Sequence, residues 1–244
     1  MEIAAGERCR HVFLKGSGCL TGDYSGRRYF TVEYKVQGSD VEDWETLILL
    51  YNSALKEIGT KVDILNDEFQ HIHQYNPIEH VKMRVKTSES IVRKLKRKGY
   101  EATVRNMQNY VSDIAGVRII CSFTSDIYRI AEMIRNQSDI NILETKDYIL
   151  FPKESGYKSY HMIVTVPIFL SDSVYDTKVE IQIRTVAMDF WASLEHKMNY
   201  KFDSNVPEHI KQELYDCAKM VSDLDERMLK LNEEILRYAK ESTE

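Results

Sequence analysis

Residues 178–185 have the sequence K-V-E-I-Q-I-R-T, in which apolar and polar side chains alternate. The alternation predicts a β-strand with one apolar and one polar face, and the polar face carries Glu180, Gln182 and Arg184. An antiparallel strand with a solvated face would show the same pattern. Alternatively, Glu180 meets a second carboxylate at a cation site, and the pattern alone leaves both interpretations open.

The segments around this strand predict a protein that mixes helices and strands. Further strands are predicted at residues 117–123, 140–150 and 160–169. Helices are predicted at residues 44–72, 86–98, 103–112, 125–137 and 186–200, and the N-P dipeptide at 76–77 ends the first of them. We therefore expect an α+β (mixed α/β) fold in which helices flank a mixed sheet of about five strands.

The C-terminal segment predicts a long amphipathic helix, because its apolar residues alternate spacings of four and three. These residues are Ile210, Leu214, Cys217, Val221, Leu224, Met228, Leu231, Ile235 and Tyr238. This apolar stripe must be buried, either against the same chain or in a homo-oligomer. We expect one domain at residues 41–240, and at residues 1–40 an extension of unknown role. That extension is a small hairpin, a flexible leader or the result of a start site assigned too early.

Composition limits the class of protein. Of 244 residues, 43% are hydrophobic and 29% are charged, and the net charge is −5. This charge argues against a protein that binds nucleic acid or a membrane with its whole surface, so a phosphate site needs a local basic patch. No apolar run approaches the roughly 18 residues that span a bilayer, and no signal peptide is evident. With four scattered cysteines, we expect a cytoplasmic protein with free thiols.

Such a basic patch lies at residues 81–98, which contain eight Lys or Arg residues and one Glu. A charged run of this kind is usually a solvated helix face. Here, however, Arg84 and Lys86 precede the predicted helix, and Ser88 and Ser90 lie near its start. Free backbone N–H groups, hydroxyls and flanking cations together suit a polyphosphate.

A second candidate carboxylate, Asp113, precedes the small pair A-G at 115–116 and the predicted strand at 117–123. It is either a turn or cap residue or a ligand at the start of that strand. Arg118 is the lone charge within the apolar strand, so we expect it to face a cleft or pair with an acid. If Asp113 and Glu180 converge, their oxygens and those of a triphosphate would suit Mg²⁺.

The stretch P-K-E-S-G-Y-K-S-Y-H, residues 152–161, precedes another apolar strand. Alternation after Gly156 places Tyr157, Ser159 and His161 on one face. The stretch is therefore either a polar turn or the edge of a ligand pocket.

Four ordered motifs, R-V-K-x-x-x-S, D-I-A-G-V-R-I, K-E-S-G-Y-K-S-Y-H and V-E-I-Q-I-R-T, resemble those of the small alarmone synthetases. These are stand-alone enzymes of the RelA/SpoT family, and the resemblance covers roughly residues 43–235. It implies a nucleotidyltransferase-like synthetase fold with long N- and C-terminal helices. It also implies Mg²⁺-dependent transfer of pyrophosphate from ATP to the 3′-hydroxyl of GDP or GTP, which gives ppGpp or pppGpp and AMP.

The resemblance assigns a role to each matched position. It implies ATP contacts for Arg84, Lys86, Ser90, Lys94, Arg97 and Arg118. It implies Mg²⁺ ligation by Asp113, and activation of the 3′-hydroxyl by Glu180, which is also a candidate metal ligand. It implies contacts with GDP or GTP for Lys153, Tyr157, His161 and Gln182, with Tyr157 stacked on guanine.

The resemblance also sets expectations for assembly and regulation. It implies a homotetramer joined through the terminal helices, and synthesis without hydrolysis because no H-D hydrolase domain precedes the motifs. At the positions where some relatives bind the activator pppGpp, this chain has His80 and Asp189. The added negative charge of Asp189 predicts that pppGpp does not activate.

Two other functions remain open from the sequence. The chain could modify another 3′-hydroxyl, such as that of tRNA or an adenine nucleotide. Alternatively, the basic helix and the tyrosine-rich loops could bind single-stranded RNA, which would leave Asp113 and Glu180 without a role.

Overall fold

The structure is a computed structural model that describes residues 19–22, 28–31, 44–201 and 206–241. Its helices are α1 (Trp44–His73), α2 (Ser88–Arg97), α3 (Val104–Tyr110), α4 (Thr124–Arg135), α5 (Val186–Lys201) and α6 (Glu208–Glu241). Its strands are β1 (Cys19–Gly22), β2 (Arg28–Thr31), β3 (Ile78–Val85), β4 (Ala115–Cys121), β5 (Asn141–Asp147), β6 (Tyr160–Phe169) and β7 (Val174–Thr185).

The chain divides into two compact units. The smaller unit contains the antiparallel pair β1–β2 and residues 169–175, where β6 leads into β7 through a turn closed by the hydrogen bond from Leu170 N to Ser173 O (2.8 Å). The hairpin considered for residues 1–40 is therefore present at β1–β2, and the rest of that segment lies outside the described residues. The larger unit contains the remaining elements.

The larger unit is built on a five-stranded mixed sheet with the strand order β3-β4-β7-β6-β5. β4 pairs in parallel with β7, whereas β3 is antiparallel to β4 and β5 is antiparallel to β6. Both the expected mixed sheet and its helical cover are confirmed. The predicted solvated face is not observed, because β7 lies inside the sheet and the side chains of Glu180, Gln182 and Arg184 are at least half-buried.

The core lies on the apolar face of the two central strands. Val117, Ile119, Val179, Ile181 and Ile183 on this face are all buried. The helix α1 packs against β3 and β4 through its buried apolar side chains. The alternation in K-V-E-I-Q-I-R-T thus fixes which face of β7 enters the core and leaves Glu180 on the other.

Capping residues determine where α2 lies relative to β3. Thr87 is the N-cap, and its hydroxyl accepts a hydrogen bond from Ser90 N (3.4 Å). Gly99 follows the helix with φ +80°, a backbone conformation that favours glycine. The first residue of α2, Ser88, lies three residues after Val85, the last residue of β3.

One strand was not predicted from the sequence. β3 occupies residues that were read as the approach to the basic helix, and its burial does not alternate cleanly. It is an edge strand, and its pairing with β4 shifts register between Ile78 and His80. Irregular edge strands have the weakest periodic signal, which explains the omission.

The C-terminal helix α6 is 34 residues long and has two different surfaces. Ala218 and Asp225 are buried against the rest of the chain, and Val221 is half-buried. The later members of the predicted apolar stripe, Leu224, Met228, Leu231 and Ile235, are each at least half exposed. Among the described residues, no helix is both long and apolar enough to cross a membrane.

Candidate nucleotide site

The polar face of the sheet carries the candidate site, and strand register sets its geometry. Gly116 of β4 is paired with Arg84 of β3 on one side and with Glu180 of β7 on the other. In the next such row, Arg118 lies between Lys82 and Gln182. Paired residues project to the same face of a sheet, so the two rows bring residues from both halves of the chain together.

Gly116 leaves this face open at its centre. A Cβ atom added at Gly116 would have no other atom within 4 Å. The row therefore has an arginine at one end, a carboxylate at the other and free space between them, where a ligand can lie directly on the backbone.

Asp113 lies just before β4 and binds two lysines. Its Oδ2 accepts a hydrogen bond from Lys86 Nζ (2.5 Å), and its Oδ1 accepts one from Lys94 Nζ (2.8 Å). Burial alone would raise the pKa of this carboxyl, but the bonds from Lys86 and Lys94 hold the pKa below its ordinary value. The structure thus brings together the two motifs R-V-K-x-x-x-S and D-I-A-G-V-R-I.

Glu180 is held by residues of its own strand and of β6. Gln182 Nε2 donates a hydrogen bond to Glu180 Oε2 (2.9 Å), and His161 Nδ1 lies 3.3 Å from Glu180 Oε1. Burial would raise the pKa of Glu180, but the bonds from His161 and Gln182 hold it below its ordinary value, while the charge of Asp113 opposes ionisation. The two carboxylates therefore lie within electrostatic range of each other.

An aromatic cluster lies beside Glu180. The Tyr157 hydroxyl is hydrogen-bonded to His161 Nε2 (2.9 Å), and the Tyr148 ring meets both Tyr157 and His161 edge-on. Lys153 Nζ lies 4.8 Å from the centroids of the Tyr148 and Tyr157 rings. Aromatic faces next to a cation can hold a purine ring and an adjacent phosphate.

Arg184 is the principal residue that the sequence did not identify as part of a site. It is only 4% exposed, and it donates hydrogen bonds to Tyr157, Gln182, Ser159 and Asp189. Its position on the polar face of K-V-E-I-Q-I-R-T was the available signal. A buried arginine with four partners usually organises the groups around it.

The remaining predicted residues lie around the edge of this cluster. Arg84 is exposed, and its charge contributes to the lowered pKa of Arg118. Ser90 is bonded to Thr87 through both its amide and its hydroxyl. Arg97 is exposed at the C-terminal end of α2, about 10 Å along the helix axis from Ser90. His80 is exposed on β3.

Asp189 does not present an uncompensated charge. It is buried, and it forms ion pairs with Arg118 and Arg184. The repulsion argument against activation by pppGpp is therefore weakened, and the absence of activation stays a prediction.

The donor set fits a magnesium ion that is shared with a nucleotide. Across the described residues, no three His, Cys, Asp or Glu side chains are grouped as a metal cluster. Mg²⁺ commonly uses only one or two protein carboxylates together with phosphate oxygens and water. Asp113 and Glu180 are such a pair. Two carboxylates with adjoining lysines and aromatic rings are the class of site that suits a polyphosphate and an aromatic base.

Comparisons with known proteins agree with this class. Residues 83–205 match the family described as "Region found in RelA / SpoT proteins". GTP pyrophosphokinase YwaC of Bacillus subtilis (strain 168) is 49% identical over 195 residues, which cover 80% of this chain and 93% of that protein.

Two solved structures from Bacillus subtilis are similar as well. Small alarmone synthetase 1 bound to its product pppGpp has a TM-score of 0.73 at 37% identity, and the match covers 79% of this chain and 98% of that one. The same synthetase bound to AMPCPP has a TM-score of 0.68 at 35% identity, covering 80% and 98%. The chain belongs to the RelA/SpoT family.

Proposed function

We propose that this protein is a GTP pyrophosphokinase that transfers the β,γ-pyrophosphate of ATP to the 3′-hydroxyl of GDP or GTP. The products are ppGpp or pppGpp, together with AMP. One observation carries the proposal: Asp113 with its two lysines, Glu180, and the Tyr157 cluster share one face of the sheet. The similarity to enzymes named as GTP pyrophosphokinases supports it.

ATP would occupy the side of this face formed by β3, α2 and β4. Lys86 and Lys94 already lie side by side on Asp113, so they can move to phosphate oxygens when a triphosphate arrives. Arg84 and Arg118 are available for the adenine, and Ser90 and Arg97 extend the polar surface along α2. Because the lysines neutralise charge that builds on phosphate oxygens, they act mainly through electrostatics and positioning.

GDP or GTP would occupy the side formed by β6, β7 and the loop before β6. Tyr157 offers its ring to the guanine, and Lys153 lies over that ring, where it can meet phosphate oxygens. Stacking on one aromatic ring contributes about 1–3 kcal/mol. His161 and Gln182 contact Glu180, so they can orient the carboxylate next to the acceptor.

The reaction follows from this arrangement. The 3′-hydroxyl oxygen attacks the β-phosphorus of ATP, the bond from that phosphorus to the α,β-bridging oxygen breaks, and AMP leaves. Glu180 accepts the hydroxyl proton, a role that suits a carboxylate held ionised by its partners. Asp113 and Glu180 would hold Mg²⁺, which neutralises charge on the phosphates when it is bound.

The exposed apolar surfaces support self-association of the chain, and we propose that the assembly is a homotetramer. Leu224, Met228, Leu231 and Ile235 form a stripe on α6, and Leu49, Ile64 and Ile72 are exposed on α1. An apolar stripe of this length on one helix is typical of helix–helix interfaces. We propose that copies of the chain associate through these terminal helices, and that the enzyme works in the cytoplasm, where its nucleotide substrates are found.

Transfer of labelled pyrophosphate tests the function. Purified protein is incubated with Mg²⁺, ATP labelled in its γ-phosphate, and GDP, GTP or GMP, with tRNA and AMP as competing acceptors. We expect label on the guanine nucleotides. Glu180→Gln should lower the rate by at least about a hundredfold because the proton acceptor is lost. Chelation of Mg²⁺ by EDTA should abolish transfer, and excess Mg²⁺ should restore it.

Glu144→Gln is the matched control, since Glu144 is an exposed carboxylate on β5 that pairs with Lys146. It should keep the wild-type rate. If label appears only on tRNA or AMP, that molecule is the acceptor and GDP and GTP are not. Full activity of Glu180→Gln would rule out the proton-transfer role.

A further inference from the structure

One carboxylate oxygen connects the two sides of the site. Asp189 lies in the first turn of α5 and is buried. Its Oδ1 accepts a hydrogen bond from Arg118 Nη1 and another from Arg184 Nη1, each at 3.0 Å. Arg118 comes from β4 on the ATP side, whereas Arg184 comes from β7 on the acceptor side.

Arg184 extends this connection to the aromatic cluster. Its Nη2 donates to the Tyr157 hydroxyl (2.6 Å) and to Gln182 Oε1 (3.1 Å), and its Nε donates to Ser159 Oγ (3.2 Å). The guanidinium also lies 5.1 Å from the centroid of the Tyr157 ring. The orientation of Tyr157 therefore depends on where Arg184 is held.

Charge makes Asp189 necessary to this arrangement. Burial and then the positive charge of Arg184 lower the pKa of Arg118, whereas the charge of Asp189 raises it. Two half-buried or buried guanidinium groups repel each other unless a counter-charge separates them. Asp189 supplies that counter-charge to both through the same oxygen.

We propose that Asp189 is a positioning residue that couples the two nucleotide sites, so that each nucleotide strengthens the binding of the other. A nucleotide on either side orders the shared network of Arg118, Asp189 and Arg184, and the second nucleotide then binds to a network that is already ordered. The inference rests on the proposed function, because it takes Arg118 as an ATP contact and Tyr157 as the guanine contact. Such coupling is reciprocal.

Binding measurements with an unreactive ATP analogue test this inference. In α,β-methylene-ATP the α and β phosphorus atoms are joined through carbon, so AMP cannot leave. The Kd of GDP is measured by calorimetry in the presence of Mg²⁺, with and without saturating analogue. In the wild-type protein the analogue should tighten GDP binding at least about fivefold, and GDP should tighten analogue binding by the same factor.

Asp189→Asn keeps the shape of the side chain but removes its charge. The factor by which the analogue tightens GDP binding should therefore fall to about one. Asp139→Asn is the matched control, because Asp139 is a surface carboxylate paired with Lys61. That variant should keep the wild-type factor. Retention of the full factor in Asp189→Asn would overturn the inference, as would a wild-type factor of one.

A measurement on the wild-type protein covers the case in which Asp189→Asn does not fold. Tripolyphosphate has the charges of the donor but no adenine, so it cannot engage Arg118 as a base does. Tripolyphosphate should therefore leave the Kd of GDP unchanged. If it lowers the Kd of GDP as much as the analogue does, the inference is overturned. The transfer assay distinguishes this inference from the proposed function. If the wild-type protein transfers pyrophosphate but Asp189→Asn keeps the full coupling between the two nucleotides, only the role of Asp189 is contradicted.

Discussion

Gly116 shows how a residue without a side chain can define a site. It lies between Arg84 and Glu180 in one row of the sheet, and an added Cβ would contact nothing within 4 Å. We predict that Gly116→Ala folds at least as stably as the wild type, because the methyl group fits and the unfolded chain loses freedom, a gain of about 0.4–1 kcal/mol. Gly116→Val should still fold, but both variants should raise the KM for ATP, valine more than alanine.

Thermal unfolding and steady-state kinetics check this prediction. The melting temperature of Gly116→Ala should stay the same or rise while the KM for ATP rises, because the space serves the ligand and not the core. A Gly116→Val enzyme with wild-type KM values would show that the nucleotide does not lie over β4.

At the residue scale, the sequence could identify Asp113 and Glu180 but not their partners. Alternation assigns Glu180 to the polar face, and the position before β4 marks Asp113. The lysine contacts of Asp113 span 27 residues to Lys86 and 19 residues to Lys94, so they leave no local signal in the sequence. Arg184 was treated only as one more polar residue of the strand, because strand alternation does not indicate hydrogen-bond partners. Those partners are Tyr157, Ser159, Gln182 and Asp189.

At the element scale, α6 supports the loop that carries Tyr157. Gly156 has φ +83°, and a Cβ there would lie 2.5 Å from the Cβ of Ala218 on α6. Lys158 Nζ donates to Ser222 Oγ (2.5 Å), and Tyr157 packs against Trp191 and Ala218. The helix thus fixes the height of the loop above the sheet.

We predict that Gly156→Ala raises the KM for GDP or GTP more than that for ATP. The new methyl group would push the loop away from α6, and the left-handed backbone would add about 1–2 kcal/mol of strain. In the double variant Gly156→Ala with Ala218→Gly, the clash is removed but the backbone strain remains. Acceptor KM should therefore recover in part, while the melting temperature stays low. Equal KM changes for both substrates would contradict a role specific to the acceptor loop.

Element prediction from the sequence worked where periodicity was strong. The helix predicted at 44–72 is α1, and the strand predicted at 160–169 is β6. The parallel pairing of β4 with β7 was not predictable, because alternation describes the faces of a strand and not its neighbours. β3 was missed because its residues also fit the lead-in to a basic helix.

At the scale of the whole molecule, the stripe on α6 predicts self-association. Leu231 is 53% exposed within a 34-residue helix, alongside Met228 and Ile235. We predict that Leu231→Asp lowers the mass of the particle measured by light scattering, because a buried charge in a helix interface is costly. Gln212→Asp adds the same charge at an exposed polar position of α6 and should leave the mass unchanged. A wild-type protein that is monomeric at micromolar concentration would contradict the interface.

The parallel pairing of β4 with β7 also imposes an order in time while the chain is being synthesised. β3, β4 and the residues proposed to bind ATP leave the ribosome first, and one edge of β4 has no neighbour until β7 has emerged. Of the sheet strands described, β7 is the last to be made, and it occupies the centre. Strands that are far apart in sequence pair late in folding, and the unpaired edge of β4 stays exposed until then. The nascent chain therefore gains Glu180, the proposed proton acceptor, and a complete sheet in the same folding step.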